Sequence, residues 1–143
     1  MKIRIGEAAR LSGVSARLIR YYESRRLLSP AGRDASGYRA FDEHNVHELR
    51  FIKRARSLGF PIKQIDELLG LWRDKKRPSR KVRVLAVRHR DAVAARMEAH
   101  QAIIDVLGRL IEACKGDERP DCPILDELSQ EGARVRRPTV RRP

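Results

Sequence analysis

Residues 79–114 read SRKVRVLAVRHRDAVAARMEAHQAIIDVLGRLIEAC, the longest stretch of the chain without proline and with a single glycine, Gly108. Val82, Ala86, Val93, Met97, Ile104, Leu107 and Ile111 recur at three-to-four spacing, and His89 and His100 fill gaps in the stripe. That period predicts one long helix. At about 1.5 Å per residue it would run roughly 50 Å, more than a small chain needs inside one globule. The expectation is therefore a rod that pairs with a second copy of itself. A basic head precedes it and two cysteines follow it, so the rod is placed to carry a signal from one to the other.

The chain has 143 residues, room for one ordinary domain or for a small head with an extension. No apolar run approaches the ~20 residues of a membrane span, and the N-terminal MKIRIGEAAR lacks the apolar core of a signal peptide. A cytoplasmic protein without membrane contact is expected. The net charge of +13 is unevenly spread: residues 1–78 carry 18 basic and 9 acidic side chains, whereas residues 114–130 carry 2 and 5. Excess Lys and Arg in the head point to a polyanionic partner, and nucleic acid is the one expected. No clustered Ser/His/Asp, paired carboxylates or phosphate-binding glycine loop accompanies it, which argues against an enzyme.

Within the head, residues 5–12 read as a short helix, Gly13 as its left-handed stop, and Ser15 as the N-cap of a second helix through residue 23. Two short helices joined by a glycine-containing turn form a helix-turn-helix. On the second helix Ser15, Leu18, Ile19 and Tyr22 share one side, expected to pack. Arg17, Arg20, Tyr21 and Ser24 share the other, expected to face DNA. The arginine fork suits phosphates and guanine edges, and Tyr21 adds a phosphate donor.

The run GRDASGYR, residues 32–39, places turn-formers between two extended pieces and predicts a β-hairpin wing carrying Arg33, Tyr38 and Arg39. Asp42 caps a third helix with Val46, Leu49, Ile52 and Ala55 inward, Arg50, Lys53, Arg54 and Arg56 largely outward, and Gly59 at its end. Pro61 opens a fourth with a stripe of Ile62, Ile65, Leu68, Leu69 and Trp72. Trp72 is expected in the core or as a hinge against the long helix. The histidines, His44, His47, His89 and His100, read as surface or interface residues, with no second ligand at fitting spacing.

Cys114 and Cys122 are separated by seven residues, with Gly116 and Pro120 among them to let the chain fold back and Pro123 to start a short helix. Two close cysteines in a cytoplasmic chain point to a metal or redox site rather than a structural disulfide. Two thiolates do not complete the four ligands of structural zinc. Soft monovalent ions accept few sulfur ligands, so Cu(I), or by similarity Ag(I) or Au(I), suits the pair better. A thiol/disulfide switch is the rival, and inert cysteines the plain alternative.

The blocks IGEAARLSGVSARLIRYYESRRLLSP, GYRAF and SLGFPIKQIDELL, in that order, resemble the winged-helix head of the MerR family of transcription regulators. C-x7-C followed by Pro-Ile after the long helix is similar to the family's copper-efflux branch, of CueR-like or HmrR-like type. The resemblance implies Arg20, Tyr22, Tyr38, Arg39 and Arg56 as DNA contacts or their supports, which brings in Tyr22 against the face reading above. It also implies that Ser79, where divalent-metal branches carry a cysteine, marks a monovalent sensor. Iron–sulfur members carry four cysteines, and multidrug members append a large ligand domain for which no room exists. Pro61 departs from the pattern, since a small polar cap is more usual there.

The expected architecture is mainly α: a winged helix-turn-helix head over residues 1–72, a connector 73–78, a dimerisation helix 79–113, a cysteine loop with a short helix 114–130, and a basic, disordered tail 131–143. The expected protein is a homodimer with an antiparallel coiled coil that binds a palindromic promoter operator and acts with RNA polymerase. Metal binding would convert it to an activator of efflux or detoxification genes by distorting the DNA. Rival readings are a redox-sensing regulator with the same head and a constitutive nucleoid or RNA-binding protein.

Overall fold

The computed structural model describes residues 2–129. The chain divides into two compact units, Met1–His89 and Arg90–Pro143. The first holds helices α1 (Ile5–Ser12), α2 (Ala16–Ser24), α3 (Glu43–Ser57) and α4 (Ile62–Arg73), together with the first turns of α5 (Ser79–Ala113).

Local chemistry sets the helix ends. Gly13 turns left-handed at φ 75° and its N–H bonds to Ala9, closing α1. Ser15 accepts from the Leu18 amide at 3.2 Å and opens α2. Asp42 and Asn45 cap α3 reciprocally, side chain to backbone at 2.8 and 3.2 Å. At the other end of α3 the Gly59 amide bonds to Arg56 and the Phe60 amide to Ala55, with Gly59 at φ 86°, a Schellman ending. Pro61 occupies the N-cap of α4 and offers it no side-chain bond, and the helix starts directly after it all the same.

The core of this unit is Ile19, Leu27, Phe41, Leu49, Ile52, Ile65 and Leu69, all effectively inaccessible. Burying a side chain of this size contributes about 1.5–3 kcal/mol. Two inward assignments need correction. Leu18 is 45% exposed, because a nine-residue helix buries only the narrow edge through Ile19 and Tyr22, and Leu18 lies a step around from it. Trp72 is 36% exposed and so lies outside the core. It stacks on Phe51 of α3, ring centroids 4.7 Å apart, and beyond it on His44 at 6.2 Å.

The wing is shorter than a hairpin ladder. Arg33 and Arg39 form a single antiparallel bridge, flanked by bonds from the Asp34 amide to Tyr38 and from the Ala40 amide to Gly32. A second bridge, Ile3 to Phe41, exchanges two 2.8 Å bonds and ties the N-terminal segment to the wing's exit. The ladder stops after one pair because the Asp34 side chain captures the Ser36 and Tyr38 amides at 2.9 and 3.0 Å, turning the chain at once.

One buried carboxylate joins three segments. Glu48 of α3 accepts from the Ser29 amide (2.9 Å), the Ser29 hydroxyl (2.7 Å), the Asn45 amide group (3.1 Å) and Arg73 Nε (3.0 Å). Arg73 also donates to the Leu27 carbonyl at 2.6 Å. Burial pushes the Glu48 carboxyl up, but the bonds from Ser29, Arg73 and Asn45 outweigh it and hold the group below the ordinary carboxylate value. Arg73 is therefore the last residue of α4 rather than the first of the connector.

Of the long helix only Leu85 and His89 are buried. His89 is no surface residue: its Nε2 lies 2.7 Å from the Leu58 carbonyl and its ring stacks on Phe60 at 4.1 Å. In the second unit, Met97, Ile104 and Ile111 of α5 are each more than half exposed, so most of the expected stripe faces outward from the single chain. There α6 (Pro123–Ser129) follows the cysteine loop. Among the described residues no helix is long and apolar enough to cross a membrane. The basic tail, residues 131–143, lies outside the described residues, as does Gln130 at the expected end of α6.

Candidate nucleic-acid interface and thiol pair

A shallow cavity of about 180 Å³ joins Arg20 and Glu23 of α2, Tyr38 and Arg39 of the wing, and Arg4 and Ile5 at the start of α1. The recognition helix and the wing thus share one surface. Arg17, Arg20 and Tyr21 are exposed on α2, with no carboxylate among the described residues paired to either arginine. Tyr38 is 60% exposed, with the Arg4 guanidinium 4.4 Å above its ring. Arg33 is exposed and donates to the Gly37 carbonyl at 2.9 Å. Arg56, exposed at the end of α3, donates to the Phe60 carbonyl at 3.4 Å.

Two of the expected contact residues are held inside the fold. Tyr22 is buried, with its ring centroid 5.8 Å from that of Tyr21, so its place is behind the contact surface, where it backs Tyr21. Arg39 bonds to Glu23 and to the Ala40 carbonyl and lies 4.5 Å over the Phe41 ring. Its guanidinium clamps the wing to α2, leaving only an edge for a ligand.

Sequence reasoning missed Arg4 and Asp34. Asp34 receives Arg4 Nε at 3.1 Å besides its two backbone amides. Slight burial pushes the Asp34 carboxyl up, and the Tyr38 and Ser36 amides and Arg4 overcome this and hold it below its ordinary value. An aspartate followed by Ser36-Gly37 is a turn signal legible in the sequence; nothing there marks Arg4.

In the second unit, Cys114 directly follows α5, its amide bonded to Leu110 at 3.1 Å. Cys122 caps α6 by accepting the Asp126 amide at 3.0 Å on its carbonyl. Both thiols are free and partly exposed. Between them Gly116 adopts φ 62°, and Asp117 accepts from the Arg119 amide (2.9 Å) and Nε (3.0 Å), which holds its carboxyl below the ordinary range. Among the described residues no cluster of three or more His, Cys, Asp or Glu gathers to hold a metal. The two sulfurs are the thiol donors among the described residues of this unit, and Ser79, exposed, begins α5 in the first unit.

A winged helix-turn-helix with a basic reading face, followed by a long helix, defines a DNA-binding transcription regulator and not an enzyme. Family comparison agrees. Residues 3–71 match the MerR HTH family regulatory protein and residues 46–110 match the family's DNA-binding model. The chain belongs to the MerR family. It is 48% identical over 130 residues to the HTH-type transcriptional regulator HmrR of Sinorhizobium medicae, covering 91% of this chain and 88% of that one. It is 47% identical over 133 residues to heavy metal-dependent transcription regulator 2 of Rhizobium meliloti, covering 93% and 90%. Among solved structures, a transcription regulator of Ralstonia metallidurans in complex with lead(II) superimposes with a TM-score of 0.79 at 28% identity, over 89% of this chain and 99% of that one.

Proposed function

We propose that the chain is a heavy-metal-responsive transcription regulator of the cytoplasm whose inducer is Cu(I), with Ag(I) or Au(I) as chemical equivalents, held by Cys114 and Cys122. The observation that carries this reading is the donor set: two free thiols bracketing one loop, with no third ligand gathered beside them among the described residues. Linear dithiolate coordination satisfies a monovalent d¹⁰ ion and leaves a divalent ion short of ligands. Ser79 supports it, since a hydroxyl offers no thiolate to complete a divalent site. The heavy-metal name of the Rhizobium meliloti relative supports a metal inducer and lends nothing to a thiol/disulfide switch.

The functional unit is a homodimer joined by the exposed stripe of α5 in an antiparallel coiled coil, with each cysteine loop near the partner's Ser79. Arg17, Arg20, Tyr21, Arg33, Tyr38 and Arg56 hold a palindromic operator, with Tyr22 and Arg39 as supports. Cys114 and Cys122 grip the ion and stiffen the end of α5. The protein shifts from a repressing to an activating conformation only to the extent that the second binds metal more tightly, each tenfold difference being worth about 1.4 kcal/mol. In the activating form the heads bend and untwist the promoter so that RNA polymerase engages both of its elements on an efflux or detoxification gene.

The test is an anaerobic titration of reduced protein with Cu(I) against a competing chelator, with Zn²⁺ in parallel. Tight uptake of one Cu(I) per chain, lost in Cys114→Ser and in Cys122→Ser, with weak Zn²⁺ binding and unchanged operator binding, is expected. Weak uptake of both ions would overturn the assignment.

A further inference from the structure

Behind the helix-turn-helix, α1 and α3 enclose a notch of about 260 Å³ lined by Ser12, Arg50, Lys53, Arg54 and Ser57. Each of these five side chains ends in a cation or a hydroxyl. Arg50 is fixed by two bonds, 3.1 and 2.8 Å, to the Leu11 carbonyl at the end of α1. Lys53 reaches the turn itself: a β carbon on Gly13 would stand 2.6 Å from its Nζ. The Ser57 hydroxyl donates to the Arg54 carbonyl at 2.6 Å, and both residues line the notch.

Some cations of the head are already neutralised, and those of the notch are not. Arg4, Arg10, Arg39 and Arg73 each pair with a carboxylate. Among the described residues no carboxylate lies in salt-bridge range of Arg50, Lys53 or Arg54. Three cations gathered without a counter-charge repel one another unless an anion joins them. The notch also adjoins the turn that leads into α2, and a recognition helix enters the major groove by its N-terminal residues, which brings that turn beside the flanking backbone.

We infer that this notch seats a phosphodiester group of the DNA backbone, through Lys53 and Arg54 with Arg50 as the fixed wall. It is a second point of contact in each head, separate from the Arg20–Tyr38 surface, and it fixes register while reading no base. The inference rests on the DNA-binding reading and extends it to residues that line no part of the Arg20–Tyr38 cavity.

The experiment uses the full chain and the double variant K53Q/R54Q, with K75Q/K76Q in the exposed connector as an equal-charge control. Binding to a random-sequence duplex, and to a duplex selected by the wild-type protein from a random pool, is followed by fluorescence anisotropy over a series of salt concentrations. Each lost phosphate contact lowers the slope of log K against log salt by about 0.9 and weakens binding roughly eightfold at about 0.1 M salt. The notch variant is expected to show that loss in each head on both duplexes, with their affinity ratio unchanged, while the control keeps the wild-type slope. An unchanged slope, or a fall equal to the control's, would overturn the inference. So would unchanged DNA binding with lost transcription, which would place the notch against polymerase instead. If the wild type itself bound neither duplex, the broader DNA-binding reading would fail first. Should K53Q/R54Q unfold by circular dichroism, R54Q alone is read in its place at half the expected change.

Discussion

Replacing Glu48 by Gln removes the charge from the one carboxylate that is wholly buried in the head. Its two oxygens receive Ser29 twice, Asn45 once and Arg73. A glutamine of nearly the same shape keeps one acceptor oxygen, and its amide hydrogens then face either the Ser29 amide or the Arg73 guanidinium, donor against donor. Removing one partner of a buried ion pair costs about 3–5 kcal/mol when the survivor is sealed from water. Arg73 retains a third of its side-chain exposure and can recover some hydration. The lower figure for charged hydrogen bonds then governs, about 2–3 kcal/mol. For a head of this size that is a fall in melting temperature of roughly 10–20 °C by circular dichroism at neutral pH. The pH profile gives a second reading. Because folding depresses the Glu48 value, its contribution is present in full above the unfolded carboxylate value and is lost as pH falls through the folded one. The wild type should therefore lose its advantage over the variant on the acid side only. A melting temperature within about 2 °C of wild type, or a constant gap across pH, would refute the account of Glu48 as the clasp of the head.

Two further outcomes are expected. Arg20→Ala should weaken operator binding by about 1–3 kcal/mol, measured by anisotropy, and leave Cu(I) affinity untouched; a parallel loss in both would contradict the separation of reading face from thiol pair. Ser79→Cys should raise Zn²⁺ affinity by at least tenfold, about 1.4 kcal/mol, in a chelator competition, and no gain would remove Ser79 from the selectivity argument.

The head was legible because its signals are local. Gly13, Ser15, Asp42 and Gly59 each impose a backbone conformation or satisfy an orphan amide whatever surrounds them, and each stands at the expected boundary. What escaped were partnerships across long sequence separations. Arg73 looked like part of a basic linker because its partner Glu48 lies 25 positions away. His89 looked like filler in an apolar stripe because Leu58 lies 31 positions away. Periodicity told which side of α5 is apolar but not that its first turns bury Leu85 and His89 while the stripe beyond stays open to solvent.

The grip of His89 on the α3–α4 turn changes what the connector can be. Residues 73–78 look like a swivel, yet the helix that follows is pinned to the head by a ring stacked on Phe60 and a bond to Leu58. The carbonyl of Phe60 in turn receives Arg56, at the end of α3. The opening turns of α5 therefore work as a handle forged to the head rather than a cord tied to it. To twist that handle is to turn the end of α3 with it.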